Sequence, residues 1–446
     1  MQFRLAVKFL VLGVLAVLFT VVFAVIGGIR ADRERYRAQV VREVSESSAG
    51  PQVVTGPVLV VPYRQRTEYR TTDSLTGRIV VGERMVDRQL VLLPDSLTID
   101  GTTAVDARRR GIHEARVLDA DLMVNATFRA AGSAVARDVA EWRPPFVVVG
   151  VSDSRGLRRT PEIAWNGTPI AVTPGSRVRW AMHGFAADPG EWSPVDGAPA
   201  HLRLHLRLTG TERLSFVPVG KETEVRLASS WPHPSFAGRI LPDTREVRAD
   251  GFKATWHLSH FASGIEDVVP RLRDEGGDVF AGYDFGVAFI EPLDVYRLTD
   301  RAVKYGMLFV LLTFVGFLLF EVLRRLDIHP VQYGLVGFAL ATFFLLLLSL
   351  SEHIPFAIAY LVASAACLGL IIYYVTHVLR SRGRALGFGA GLAALYALLY
   401  VVLRSEDYAL LLGTLVVFGV LAFVMVATRR VDWSRAGDIP HDERTM

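Results

Sequence analysis

The sequence predicts a membrane protein of the α + β class. It has six transmembrane helices, one N-terminal and five C-terminal, and a large all-β domain inserted after the first. Three observations predict this. The chain holds six long apolar runs, one polar block separates the first run from the other five, and apolar residues alternate with period two inside that block. Crossing a hydrocarbon core takes about 20 apolar residues. Phe9–Ile29 supplies such a run, and Gly306–Leu323, Tyr333–Leu350, Pro355–Val375, Leu386–Leu403 and Tyr408–Thr428 supply the rest. The organisation that follows is an anchor over 1–30, a short helical stalk over 31–50, a β-rich domain over 51–300, a five-helix bundle over 301–430 and a tail over 431–446.

The first run reads as a retained anchor. Arg4 and Lys8 precede it, but it outlasts the roughly 7–15 apolar residues of a secretory signal, and no small-x-small pattern marks a cleavage site. Asp32–Ser48 is rich in Arg and Glu, with Tyr36, Val40 and Val44 spaced by four, so the helix continues until Ala49-Gly50-Pro51 breaks it. Beyond that point the pattern changes to strands. In His201–Leu208 every second residue is Leu and the others are His or Arg, the mark of a sheet with one wet face. Val58–Val61, Leu90–Leu93, Phe146–Val151 and Glu224–Leu227 are further strand candidates. Asn166-Gly167, Asp100-Gly101, Asp250-Gly251 and Pro174-Gly175 are turn signals between them. Many short strands with frequent turns imply a sandwich or barrel.

Orientation follows from positive charge, which stays on the cytoplasmic side. Arg324 and Arg325, then Arg380, Arg382 and Arg384, then Arg429, Arg430 and Arg435 follow the second, fourth and sixth runs. Ser351–Ile354 has no Lys or Arg and Arg404–Asp407 has one. Both termini are therefore expected in the cytoplasm and the large domain on the far side, the periplasm of a Gram-negative cell. The net charge of +4 comes from scattered arginines and does not point to nucleic acid. Cys367 is the single cysteine, so no intramolecular disulfide forms, and it reads as a small packing residue in the fourth run.

The sequence lacks a phosphate-binding loop, a G-x-G-x-x-G turn and a G-x-S-x-G elbow. Ser152–Gly156 reads as a polar turn with Asp153 and Arg155 pairing or capping. His257 and His260 lie in an extended stretch that points them apart, and Trp231-Pro232-His233-Pro234 reads as a packed corner. No catalytic residue, cofactor or metal is expected. Ionisable groups near the membrane are the better candidates, because charge there is costly. Glu321 is expected to pair with Arg324 or Arg325 one turn on. Glu352 and His353 lie in one short connection, and His329-Pro330 in another. Arg301 and Lys304 are placed at the outer membrane surface, to meet lipid phosphates, Glu291 or Asp294, or to serve Glu352. Glu352, His353, Arg301, Lys304, His329 and Glu321 are thus the candidate functional or coupling residues. Gly387-x-x-x-Gly391 offers a close helix contact, and Thr342, Ser349 and Ser364 offer hydrogen bonds between helices.

The densest signature runs Glu291-Pro292-Leu293-Asp294-Val295-Tyr296, Arg301–Gly306, Ile328-His329-Pro330-Val331-Gln332-Tyr333 and Leu348-Ser349-Leu350-Ser351-Glu352-His353-Ile354. Thr55-Gly56-Pro57, Arg110-Gly111-Ile112, Gly150–Leu157 and Phe236-Ala237-Gly238 extend it over nearly the whole chain. With these segments the sequence resembles the CreD family of bacterial inner-membrane proteins. It departs at Phe261-Ala262-Ser263 and in Val375–Leu386. The resemblance implies inner-membrane residence and a role in envelope integrity and stress response, with no catalytic residues to carry over. The first reading is a non-catalytic envelope protein whose polar domain senses or binds an envelope component. The alternatives are a transporter or lipid-handling protein and an envelope-modifying hydrolase. Membrane lipids are expected partners, together with an envelope component or another envelope protein.

Overall fold

A computed structural model describes residues 2–72, 79–110, 113–130, 138–181, 183–195, 197–273, 279–290, 295–324, 329–378, 382–405 and 409–429. The chain divides into two compact units, Met1–Arg37 with Leu293–Met446, and Ala38–Pro292. Helix α1 (Gln2–Ser47) opens the chain. Its apolar turns give way to a polar stretch carried by local pairs such as Arg30–Glu34 at 3.1 Å and Gln39–Glu43 at 3.1 Å.

The second unit is a β-sandwich. Its strands are β1 (Gln52–Thr72), β2 (Ile79–Leu92), β3 (Ser96–Arg110), β4 (His113–Phe128), β5 (Val139–Trp142), β6 (Phe146–Val151), β7 (Glu162–Trp165), β8 (Thr168–Ile170) and β9 (Val172–Pro174). They continue with β10 (Gly184–Ala187), β11 (Ala200–Thr211), β12 (Arg213–Val217), β13 (Glu222–Ser229), β14 (Pro234–Gly238), β15 (Thr244–Arg248) and β16 (Gly251–Ser259). A short helix α2 (His260–Ser263) precedes β17 (Phe285–Phe289). One sheet has the order β14-β17-β12-β1-β6-β10-β9, with β2 and β5 also on β1; the other runs β15-β16-β13-β3-β4-β11-β7-β8.

One hydrophobic core joins the two sheets. The alternation in β11 does its expected work: Leu202, Leu204, Leu206 and Leu208 are buried. Val58–Val61 and all of β6 are buried without alternation, because central strands are covered on both faces. Two pairings are parallel, β1 with β12 (Gln52↔Leu214) and β3 with β13 (Ser96↔Glu222), so both sheets are mixed. Asn166-Gly167 makes the β7–β8 turn, both residues at positive φ (50° and 83°), as a two-residue hairpin requires. Asp100-Gly101, by contrast, is no turn but lies inside β3. A Cβ on Gly101 would meet Leu122 Cδ2 at 2.7 Å and Leu227 Cδ1 at 2.9 Å, so the glycine serves close packing within the sheet.

The first unit is helical. With α1 as far as Arg37 it contains α3 (Val295–Arg324), α4 (Pro330–Ser351), α5 (Phe356–Val378), α6 (Arg382–Arg404) and α7 (Ala409–Thr428). Five of these are long and apolar enough to cross a membrane, and α7 adds the shorter apolar stretch Leu411–Val426. Helix α1 seats two aromatic rings on glycines. A Cβ on Gly337 would meet the Phe19 ring at 2.3 Å, and one on Gly306 would meet Phe23 at 2.3 Å. Phe19 also meets Phe314 and Phe338 edge-on, and Phe23 meets Phe344. The Gly387-x-x-x-Gly391 expectation fails: open space surrounds both positions, and Gly389 is the one packed, on Ile372. Thr342 and Ser364 bond back to Phe338 and Leu361 of their own helices, the local bond open to any hydroxyl in a helix.

Candidate functional site

The helical unit places its candidate residues at the two ends of α4. At the Ser351 end, α1 presents Arg30 and Arg33, three residues apart and so on one face. Arg30 reaches Asp300 of α3 at 3.3 Å, and Asp300 also holds Lys304 at 2.6 Å, one turn on. Arg33 lies 3.8 Å from Glu352, just beyond α4, whose side chain is only 7% exposed. Arg301 donates to the Leu403 carbonyl of α6 at 3.4 Å, and the His353 imidazole meets the Ser349 carbonyl at 3.1 Å. The structure therefore brings Glu352 to Arg33, and Lys304 to Asp300. The expected cation for Glu352 came from Arg301, Lys304 or His353; Glu291 and Asp294 lie outside the described residues. Sequence reasoning missed Arg30, Arg33 and Asp300. Their signals were present: two arginines at i,i+3 closing an apolar run, and an aspartate four residues before a lysine.

At the Pro330 end, Glu321 is buried, and Tyr333 donates to its carboxylate at 2.8 Å. Phe314 and Phe317 flank the Tyr333 ring. The expected cations Arg324 and Arg325 are outside the described side chains. His329 caps α4, its Nδ1 accepting the Val331 N–H at 3.3 Å, and Pro330 takes the first helical position. Between these ends a polar chain crosses three helices. Tyr360 donates to the Tyr396 carbonyl at 2.7 Å, Tyr396 to Cys367 Sγ at 3.1 Å, and Cys367 to the Ala339 carbonyl at 3.1 Å. Cys367 is thus more than a packing residue; it relays a hydrogen bond between α4, α5 and α6.

In the sandwich, Asp153 is the most connected carboxylate. It accepts from Gly50 N–H at 2.9 Å, from Arg155 N–H at 3.0 Å and from the Arg155 guanidinium at 2.6 Å. The guanidinium bond, aided by the two backbone donors, lowers its pKa to about 2. Arg155 therefore both pairs and is capped, and Gln52 ties this turn to β11 through the Asp153 and Thr209 carbonyls, each at 3.0 Å. On the wet face, His205 lies between Asp121 at 2.7 Å and Glu162 at 3.8 Å, and His257 between Glu224 at 3.0 Å and Asp243 at 3.3 Å. Among the described residues no group of three or more His, Cys, Asp or Glu is arranged to hold a metal ion. These arrangements hold elements together; their chemistry is pairing and capping.

The family model described as "Inner membrane protein CreD" matches residues 4–434. The chain belongs to the CreD family. A curated CreD relative, the inner membrane protein CreD of Escherichia coli (strain K12), is 36% identical over 411 residues, covering 90% of this chain and 88% of that protein. CreD membership makes this an inner-membrane protein with several membrane-spanning helices. Among solved structures, an M1 zinc metallopeptidase from Deinococcus radiodurans with a bound Tyr-Ser-Ala substrate aligns over 37% of this chain and 39% of that one, at 14% identity and a TM-score of 0.21. A two-domain M1 zinc metallopeptidase bound to L-arginine aligns over the same shares at 15% identity and 0.21. Scores that low say nothing of fold or chemistry for this CreD chain.

Proposed function

We propose that this chain is a non-catalytic inner-membrane protein that supports envelope integrity and the envelope stress response. Its β-sandwich lies in the periplasm and binds or senses an envelope component, and its termini lie in the cytoplasm. One observation carries the reading. Three polar pairs among the described residues link helices of the helical unit, Arg30 with Asp300, Arg33 with Glu352 and Tyr333 with Glu321, as in a scaffold that holds its helices together. That leaves recognition to the sandwich, and the arginine-rich connections after α3 and α5 support its periplasmic placement.

The test is complementation of a deletion strain challenged with detergent and antimicrobial peptide. A chain whose residues 51–290 are replaced by a short linker should reach normal membrane levels yet leave the strain sensitive. Full resistance from that chain would overturn the proposal.

A further inference from the structure

Helix α7 is the least supported helix of the bundle. From Leu411 to Val426 none of its side chains is buried, and Phe418 and Phe423 are 69% and 63% exposed. Among the described residues the core of the helical unit is built without it, from α1, α3, α4, α5 and α6. Between α7 and its neighbours runs a narrow furrow. On α3 the lining repeats at i, i+3, i+4 and i+7 from Tyr305 to Leu312, and on α6 at the same spacing from Leu395 to Val402. That spacing gives the furrow one face of each helix. Gly413 and Val416 line it from α7. The space is about 30 Å³, which admits a hydrocarbon chain and not a further helix of about 10 Å across. Water needs polar partners, and among the described residues Tyr305 is the one on this lining with a polar side-chain atom.

Arg301 marks one end. It lies four residues before Tyr305, so it heads the α3 face that lines the furrow. Its guanidinium crosses to the Leu403 carbonyl of α6 at 3.4 Å, next to Val402 of the opposite wall. The arginine therefore spans the two helices at the mouth of the furrow. A guanidinium there suits a phosphate, whose oxygens it binds through its planar fork of N–H groups.

We infer that the furrow seats one acyl chain of a membrane phospholipid, whose phosphate meets Arg301, and that α7 docks against this chain. The bilayer around these helices supplies the ligand. Helices in a membrane associate largely through close packing, and the chain provides the contacts that the side chains of α7 do not make. From Tyr305 to Leu312 the furrow follows α3 for about 10 Å, within the roughly 15 Å depth of hydrocarbon in one leaflet. A phosphate at Arg301 then stands one helical turn, about 5 Å, beyond the apolar lining. The lipid is a structural part of the bundle, and the inference is independent of what the sandwich binds.

The experiment uses the full chain in nanodiscs that contain phosphatidylglycerol with a diazirine on one acyl chain. After irradiation, peptide mass spectrometry locates the label. It should concentrate on Leu308, Leu312, Leu395 and Leu398, at least fivefold above Leu361 and Leu370, which are 67% and 59% exposed on α5. Gly413→Leu carries a side chain into the furrow, since a Cβ there keeps ordinary contact with Tyr305 Cε1 at 3.7 Å. It should abolish the excess and leave α5 labelling unchanged. Leu308→Phe, which narrows the same space from α3, is read beside it and should do the same. Arg301→Gln should lower the excess at least threefold, and a diazirine fatty acid at equal molar ratio should label the furrow at least threefold more weakly. In detergent, added phosphatidylglycerol should raise the melting temperature of the wild type by several degrees and leave that of Gly413→Leu unmoved. Even labelling of α3, α5 and α6, or an excess that survives both furrow variants, overturns the inference. Equal labelling by the fatty acid, or indifference to Arg301→Gln, removes the phosphate and overturns it as well.

Discussion

Asp153 shows what one residue contributes and how much of it the sequence displays. The pairing with Arg155 is legible because the partners are two residues apart. The bonds to Gly50 and, through Gln52, to Thr209 are not, because only the folded sandwich brings them within reach. The carboxylate of Asp153 sits below its ordinary value, so its contribution is complete above about pH 4 and disappears as pH falls from 3.8 toward 2. Asp153→Asn should cost about 1–2 kcal/mol at neutral pH. The gap between variant and wild type should close near pH 2 in thermal unfolding, and a gap unchanged at pH 2 would contradict the assignment. Gly156 lies in the same turn, where a Cβ would come 2.2 Å from the Thr209 carbonyl oxygen and 2.4 Å from Gln52 Nε2. Gly156→Ala should therefore cost about 1–3 kcal/mol. Glu352 makes the opposite point. The sequence offers His353 beside it and Arg301 or Lys304 at the outer membrane surface, whereas the described cation, Arg33, comes from the N-terminal helix. Glu352→Ala should reduce detergent resistance at unchanged protein level and Glu321→Gln should not; full complementation by both would remove Glu352 from the function.

Among elements, strands whose outer faces are wet were legible from alternation, and β11 is the clearest of them. Which strands pair was not legible, because the parallel partners of β1 and β3 lie more than a hundred residues away and nothing local encodes them. Glycines divide in the same way. A G-x-x-x-G spacing is read from sequence, but whether a helix lies against it is decided by the bundle. The glycines that α1 uses, Gly306 and Gly337, form no such motif; each is defined by the aromatic ring above it. Small residues at membrane helix contacts let backbones approach, and a large side chain there separates them. Gly337→Leu should lower the melting temperature of the detergent-solubilised protein by several degrees. Gly391→Ala, in open space, should leave it unchanged or raise it slightly, since alanine is favoured over glycine in helices by about 0.5–1 kcal/mol. Equal losses in both would mean that α1 does not dock through Phe19.

For the whole molecule, the division into one anchor, one β domain and a helical bundle was legible because runs of about 20 apolar residues are rare outside membranes. Reporter fusions after Arg384 and after Arg435 should report cytoplasm and one within Gly210–Lys221 the opposite side. A periplasmic signal at Arg384 would end the six-helix reading. A fragment of residues 49–290 should be soluble, rich in β structure and indifferent to reducing agent, since the only cysteine is Cys367. The end-point at 290 matters, because β17, the last strand among the described residues, sits between β12 and β14 rather than at an edge. Synthesis order and assembly order are therefore at odds. While the chain is being synthesised, Gln52 waits for Leu214, Ser96 waits for Glu222, and the gap beside β12 stays open until β17 has been made. Such distant pairings fold slowly and leave unpaired edges exposed meanwhile. The sandwich cannot close before β17 is made, so nascent chains halted at residue 284 should be protease-sensitive. Those released at residue 295 should become resistant.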